Sequence, residues 1–472
     1  MPLRQAAEYV EALRDNRNVF YLGKRIPDVT LEPDLRVAVD HAALDFRFAD
    51  DPANRDLAVV SGDDGEEYSA YYRLPRSSQD LLDRARLIEA TTAAGGTMVT
   101  LVKEIGSDAL FALHRVLEGE ALERAQQFYA HCRKHDLALA VAQSDVKGDR
   151  SLGPSDQADP DLYVHVVDQD ESGIVVRGAK IHTSVSANAD ELIVLPTRAM
   201  RPQDADYAVA FAVPVATEGL TLYVSSYSAG ERAELEFPLS SRHKMLETLT
   251  VFDDVFVPWE RVFVCREPKA AGPLALTFVE YHRFTAVSYK LPLLDALVGA
   301  AYEIVDMNGL GGVGHIRDKL AQLVTYAETV RALGEAAALR CRLGNLGLAY
   351  PESLMTNMAK YTFATGFHHA LELLQECAGG LIVTGFGDRD WESPETRAVL
   401  EKYLSARVGG EERQRMMHLI ADLTARDFAG YHAVLAVHAE GSIEAEKLQI
   451  LRSYNSTRTT DYARSLARLP KR

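Results

Sequence analysis

Apolar positions along the chain change their period twice. Residues 6–14 and 77–93 carry apolar side chains at helical spacing. The second stretch opens on Ser-Ser-Gln-Asp, so Ser77 or Ser78 can cap a helix bearing Leu81, Leu82, Ala85 and Leu87. Residues 108–117 and 121–135 continue that pattern. From about 139 to 267 the runs shorten to strands: 162–167 and 173–178 around the turn Asp-Gln-Asp-Glu-Ser-Gly, then 191–196, 207–214, 220–224 and 251–257. Several short β-rich runs separated by turn signals argue a compact barrel or sandwich. From about residue 274 the helical period returns, and Ile316, Leu320, Leu323, Val324, Ala327, Val330, Leu333 and Ala337 form one apolar stripe. Residues 354–377, 394–404, 411–423 and 429–438 complete a bundle, whose long apolar faces are core and inter-subunit packing rather than cofactor boxes. The expected chain is therefore α+β in three parts: a helical domain over 1–138, a β domain over 139–272 and a helical bundle over 273–472.

Composition narrows the partners. A chain of 472 residues has room for a large core without staples, divided among roughly two to four domains. Its 51 basic and 68 acidic residues leave a net charge of −17, which disfavours nucleic acid and anionic membrane but leaves room for a local basic pocket. Cys132, Cys265, Cys341 and Cys377 are far apart and form no Cys-x-x-Cys pair, so a reducing compartment is expected and no zinc or iron–sulfur spacing is present. The first residues are charged and helix-like, without the apolar core of a signal peptide, and no apolar run is long enough to span a membrane. The expected location is cytoplasmic.

The most informative chemistry lies between residues 145 and 200. A polar loop at 145–155 precedes short strands, and His182-Thr183-Ser184 follows a strand ending in Gly178-Ala179-Lys180. Two hydroxyl-rich strand ends in one small β region suit a planar, polar-edged cofactor, whose rim needs hydrogen bonds more than charge. The same residues also serve ordinary turns.

Other motifs run the length of the chain: Leu74-Pro75-Arg76-Ser77 with Asp80-Leu81, Phe-Asp-Asp-Val-Phe-Val-Pro-Trp-Glu-Arg-Val-Phe over 252–263, Tyr281-His282-Arg283, His315-Ile316-Arg317-Asp318-Lys319-Leu320, and Ala-Gly-Gly-Leu-Ile-Val-Thr over 378–384. With the 145–200 block they resemble the 4-hydroxyphenylacetate 3-hydroxylase and 4-hydroxybutyryl-CoA dehydratase flavoprotein superfamily. That resemblance implies an acyl-CoA dehydrogenase-like fold: an N-terminal helical domain, a middle β-barrel domain that binds flavin, and a C-terminal helical bundle. It also implies FAD between the β domain and the bundle, a partner subunit completing the site, and a dimer-of-dimers homotetramer. The dehydratase branch looks closer in Val-Lys-Gly-Asp-Arg-Ser, Pro-Thr-Arg-Ala-Met and the 377–384 segment.

Departures from the family pattern bear on the reaction. The dehydratase holds a [4Fe–4S] cluster through three cysteines and a histidine. Gly106-Ser107-Asp108-Ala109 sets the register, which puts two cysteine positions on Thr100 and Glu104, the histidine on His282 and the third cysteine on Tyr289. Hydroxyl and carboxyl oxygens do not replace thiolates in a cluster, so no iron–sulfur cluster and no other metal is expected. The hydroxylase branch holds its phenol with an Arg and a Tyr that also fall on Thr100 and Glu104, and with a His that falls near Val141 or Ala142. The resemblance therefore nominates His282 as base or substrate-orienting group, Glu104, Tyr289 and Glu247 as its catalytic companions, and Thr100 as a substrate contact. For FAD it nominates Lys147, Gly148, Asp149, Arg150 and Ser151, with Thr183, Ser184, Gly379, Gly380, Gly441 and Ser442; Arg150 suits the pyrophosphate. On residue type alone, Glu104 is also a solvated helix position, Tyr289 core, and Gly441 a helix cap.

Two readings of function follow. The first is an FAD-dependent monooxygenase that uses reduced flavin and O2 on a small aromatic or specialised-metabolite substrate. No Gly-x-Gly-x-x-Gly segment opens a βαβ unit here, so a separate reductase would supply the reduced flavin. The alternative is a cluster-free flavin enzyme acting on an acyl thioester, closer to double-bond isomerisation than to dehydration. A flavin-free binding homologue is a third class, against which the retained flavin loop argues.

Overall fold

The computed structural model describes residues 3–62 and 65–470. The N-terminal part contains the helices α1 (Ala6–Ala12), α2 (Pro33–Ala42), α3 (Leu44–Asp50), α4 (Arg55–Ala58), α5 (Ser78–Ala94), α6 (Glu104–Val116) and α7 (Gly119–His135), with strands β1 (Asn18–Tyr21), β2 (Lys24–Ile26), β3 (Val59–Ser61) and β4 (Glu67–Ser69). Ser77 caps α5 as its spacing predicts: its hydroxyl accepts from the Asp80 N–H at 3.2 Å and donates to the Asp80 carboxylate at 2.9 Å. The middle of the chain supplies β5 (Leu139–Ala142), β6 (His165–Gln169), β7 (Gly173–Ser184), β8 (Glu191–Val194), β9 (Val209–Pro214), β10 (Leu220–Val224), β11 (Glu247–Pro258) and β12 (Val262–Cys265). The remainder is mostly helical: α8 (Pro268–Met307), α9 (Gly314–Leu339), α10 (Ser353–Ala378), α11 (Leu381–Thr384), α12 (Asp388–Glu392), α13 (Pro394–Leu404), α14 (Gly410–Thr424), α15 (Asp427–His438), α16 (Ile443–Ser453) and α17 (Ser456–Leu466).

Of the two forms the strand pattern allowed, barrel or sandwich, the strands adopt two separate sheets. One has the order β2-β1-β10-β11-β7-β6 and the other β12-β9-β8-β5. Expected strands 220–224 and 191–196 coincide with β10 and, within two residues, with β8. Residues 1–138 are mostly helical, as expected, but they also lend two short strands to the first sheet. β1 crosses over to pair in parallel with β10, from Asn18 against Thr221 to Tyr21 against Val224. Strands of three and four residues are too short to register as a period in the sequence. β7 runs on beyond Gly178, where the sequence suggested an end. That glycine has φ +125°, and a Cβ there would strike the Tyr163 carbonyl, so it marks a close backbone approach inside a continuing strand. An isolated bridge between Asp145 and Lys180 ties the 145–155 loop to β7.

One apolar core joins both sheets to the N-terminal helices, and a second fills the helical bundle. The 40-residue α8 links the two cores, packing against α5, α6, α9, α10 and α14. Among the described residues no helix is long and apolar enough to cross a membrane.

A histidine pair, buried His41 on α2 and half-buried His243 before β11, packs on the segment before α6. His41 Nε2 lies 3.1 Å from the Val99 carbonyl, which only accepts, so that nitrogen carries the proton and Nδ1 is left to accept from His243 Nδ1 at 3.2 Å. Burial and the neighbouring imidazole push His41 down to about 3, and burial with Arg242 pushes His243 to about 4. Both are neutral when folded and titrate near 6.5 when unfolded, so the unfolded chain binds more protons below pH 6.5. Lowering the pH from 6.5 to 5 therefore costs about 2 kcal/mol of stability per imidazole. Chemical denaturation across that range should show a shallower fall in His243→Gln than in the wild type; parallel curves would remove the pair from the acid response.

Candidate active site

The site is assembled where α5, α6 and α8 meet the turn between α15 and α16. Every residue of α6 from Glu104 to His114 is buried, so its polar side chains must find partners inside the protein. Asp108 finds three. Its Oδ1 accepts from Arg84 Nη2 at 2.8 Å and from the Thr285 hydroxyl at 2.9 Å, and its Oδ2 faces His282 Nδ1 at 3.1 Å. Arg84 is itself fixed by the Tyr71 and Glu104 carbonyls and the Ser107 hydroxyl. A carboxylate held by Arg84 accepts the His282 Nδ1–H, so a neutral ring presents Nε2 as its free acceptor. Phe278 stacks on that ring at 5.6 Å with planes 7° apart, setting its rotation.

Tyr289 lies two helical turns beyond His282 on α8 and so shares its face. Its hydroxyl donates to Glu440 Oε1. Lys290 Nζ donates to Glu440 Oε2 at 2.8 Å, Lys360 Nζ stands 3.6 Å from the same oxygen, and Arg283 Nε donates to the Glu440 carbonyl at 2.8 Å. Glu440 occupies the left-handed region at φ +55°, followed by Gly441 at +104°, so backbone and side chain together turn the chain inward between α15 and α16. Burial alone would raise the Glu440 carboxyl, but the Lys290 and Lys360 ammonium groups, with His282, hold it down at about 2. Burial brings Lys290 down to about 8 against the pull of Glu440, so the pair is ionised at neutral pH.

Glu104 and Thr100 form a separate buried group. The Thr100 hydroxyl donates to Glu104 Oε1 at 3.0 Å, as does the Tyr71 hydroxyl at 3.2 Å, and Asp45 lies 3.5 Å from Tyr71. Burial raises both carboxyls, and at Asp45 the neighbouring Glu104 adds to it. Tyr71 belongs to the apolar cluster on which Tyr289 packs, so this group adjoins the site, but Asp108 and not Glu104 is the carboxylate that reaches His282. Glu247 sits opposite Ser184 in the β11–β7 register and accepts from the Ser184 hydroxyl at 2.9 Å and the Tyr431 hydroxyl at 2.6 Å; burial raises its carboxyl. Tyr431 stacks on Tyr227 at 4.8 Å, bringing α15 against the β region at this point.

The remaining nominated residues lie on loops and helix ends, apart from Thr183 near the end of β7. Lys147 and Gly148 are both left-handed, at φ +78° and +50°, and Asp149 Oδ1 accepts from the Ser151 N–H at 2.9 Å and the Ser151 hydroxyl at 2.7 Å, which closes the turn. Arg150 is exposed, and neither it nor Lys147 forms an ion pair among the described residues. The Thr183 hydroxyl is buried without a hydrogen-bond partner. Gly379 ends α10 at φ +83°; it and Gly380 are exposed, with no atom within 4 Å of where a side chain would begin. Ser442 caps α16 by accepting from the Ala445 N–H at 3.3 Å.

Comparison with known proteins places this arrangement. The family model described as 4-hydroxyphenylacetate 3-hydroxylase N terminal matches residues 5–264, and the C-terminal model matches residues 271–468. The chain belongs to the 4-hydroxyphenylacetate 3-hydroxylase family. It is 29% identical to the 4-hydroxybutyryl-CoA dehydratase/vinylacetyl-CoA-Delta-isomerase of Clostridium aminobutyricum, over 98% of this chain and 99% of that protein. It is likewise 29% identical to the 4-hydroxyphenylacetate 3-monooxygenase oxygenase component of Thermus thermophilus, over 90% of this chain and 89% of that one. Among solved structures, an oxygenase component of 4-hydroxyphenylacetate 3-monooxygenase complexed with FAD and 4-hydroxyphenylacetate superposes at a TM-score of 0.92 with 26% identity, covering 98% of both chains. The α+β, acyl-CoA dehydrogenase-like architecture expected from the sequence is borne out.

Within this family frame, sequence reading missed Arg84, Asp108, Lys290, Lys360, Tyr431 and Glu440. A signal existed for two of them. Lys290 and Lys360 interrupt otherwise apolar helix segments, and a charge there implies a buried partner. Glu440 lies on a turn and carried no such mark.

Proposed function

We propose that this chain is the oxygenase component of a two-component FAD-dependent monooxygenase that inserts oxygen into a small phenolic or related aromatic substrate. The observation that carries this reading is the His282–Asp108–Arg84 chain of contacts, which leaves a free imidazole Nε2 at a site whose cations are engaged by carboxylates and carbonyls. Held through Nδ1, His282 is suited to take a proton from a substrate hydroxyl at Nε2, and Asp108 stabilises the imidazolium that results. Thr100, Glu104 and Tyr289 offer oxygen ligands where an iron–sulfur cluster needs thiolates, which supports a cluster-free site.

The residues present fit FAD. The orphaned Thr183 hydroxyl awaits a polar rim, and the unpaired cations of Lys147 and Arg150 suit a pyrophosphate. Asp149 and Ser151 shape the loop that carries those cations and Ser184 ends β7 beside Thr183, while Gly379 and Gly380 leave open space where backbone can approach a flat ring, and Gly441 and Ser442 form the turn packed on Arg283 at the start of α16. Reduced FAD bound there would supply the two electrons with which one atom of O2 enters the substrate and the other leaves as water. A separate reductase would deliver that flavin in a cytoplasmic setting. A homotetramer is supported by the apolar side chains that α16 and α17 leave exposed, Leu451, Tyr462 and Leu466 among them.

The test supplies chemically reduced FAD and air to the purified protein with a panel of phenols. A hydroxylated product in the absence of any reductase is the expected result. No oxygenated product, together with isomerisation of vinylacetyl-CoA by the oxidised, FAD-loaded protein, would replace this reading with that of the acyl-CoA relative. Removal of one flavin contact makes a further prediction: Thr183→Val should weaken FAD binding by about fivefold to tenfold, the cost of one hydrogen bond to an uncharged group. Equal retention of FAD on gel filtration would take Thr183 out of the seat.

A further inference from the structure

Resting on the reading that His282 and Tyr289 face the substrate, we propose that Glu440 is a positioning residue that fixes the Tyr289 phenol as a hydrogen-bond acceptor, so that the site selects an uncharged substrate with a donor at each end. A phenol has one proton to give. Glu440 accepts the hydrogen bond from that O–H at Oε1, while its Oε2 accepts from Lys290. Glu440 cannot act as donor in return, because the two ammonium groups beside it keep it ionised. A ligand that meets the Tyr289 hydroxyl therefore meets its free lone pairs.

The surroundings push the same way. Glu440, Asp108 and Glu247 are all acidic neighbours of the Tyr289 phenol. Lys290 is committed to Glu440, Lys360 to the Ala436 carbonyl and to Glu446 and Glu440, and Arg283 to the Glu440 carbonyl and Asn357 Oδ1. An anionic ligand group at Tyr289 would meet an acceptor with no cation released to it. At the other end, His282 Nε2 is also an acceptor. Seven residues of α8 separate the two, roughly 10 Å along the helix axis, which is the span of a benzene ring with a short substituent. The substrate class this describes is a small aromatic with an O–H at one end and a neutral N–H or O–H group at the other, and not an aryl carboxylate.

The test measures binding to the FAD-loaded, oxidised protein and needs no turnover, so it can succeed or fail independently of the oxygenation assay. The probes are 4-hydroxyphenylacetamide and 4-hydroxyphenylacetate, which share shape and phenol but differ in presenting a donor or a carboxylate. The wild type should prefer the amide by about tenfold, the cost of leaving an acceptor facing an acceptor. In Glu440→Gln the amide oxygen can accept from Lys290 and its N–H can donate to Tyr289, which frees the phenol proton for the ligand. The preference should then vanish or invert. Tyr289→Phe keeps the Glu440–Lys290 pair and its folding, and should also lose the preference. A wild type without the preference, including one that binds neither probe, overturns the proposal. So does retention of the wild-type ratio in either folded variant.

Discussion

Glu440→Ala should lower folding stability by about 3–5 kcal/mol, the cost of removing one partner from a buried ion pair. The reason lies in what remains behind. Lys290 is buried and, among the described residues, has no carboxylate within 4 Å other than Glu440, whereas the fully buried Lys360 keeps Glu446 at 3.4 Å and the Ala436 carbonyl at 3.0 Å. The Arg283 contact to the backbone of residue 440 would survive, so the turn need not open while the Lys290 charge inside it loses its carboxylate. A melting temperature lowered by several degrees at pH 7 is the expected readout. The pH dependence has a defined sign. Glu440 titrates well below its unfolded value, so its contribution is complete above the ordinary glutamate range and is lost as the pH falls through that range toward 2. The difference between wild type and variant should therefore shrink in acid. A variant within 1 kcal/mol of wild type at pH 7 would mean that water compensates Lys290.

His282→Ala should reduce the oxygenation rate by about 10²- to 10⁴-fold, the usual contribution of a placed general base, while FAD still binds. The imidazole touches Asp108 and Phe278, both of which keep their other partners when the ring is removed: Asp108 retains Arg84 and Thr285. The fold should therefore persist, and the loss should appear in kcat rather than in melting temperature. Added imidazole should restore part of the rate, since it can occupy the vacated space and accept a proton there. Wild-type turnover by the FAD-loaded variant would exclude His282 from proton transfer.

Elements with long or isolated periods were legible from sequence. The stripe from Ile316 to Ala337 lies within α9, the expected helix at 394–404 is α13, and the expected strand at 220–224 is β10. Short or interrupted elements were not. β1 and β2 are too brief for a period, and Gly178 looks like a strand end because glycine serves both a turn and a close crossing. Pro292 lies inside α8, where helix–helix packing on several sides overrides the local cost of a proline. The site divides in the same way. His282 was visible through the family motif, and its position two turns before Tyr289 is inherent in one helix. The carboxylate that orients His282 and the one that accepts from the Tyr289 hydroxyl come from other elements, one of them far along the chain. No local pattern reports a contact between α8 and the α15–α16 turn; that is a property of packing.

The central claim is that oxygen from O2 enters an organic substrate at this site. It is tested most directly by giving the purified protein chemically reduced FAD, a phenol that it binds, and ¹⁸O₂ in unlabelled water. One labelled oxygen in the product ring is the predicted result. A hydroxylated product that carries no ¹⁸O, or hydrogen peroxide released with the phenol unchanged, would contradict it.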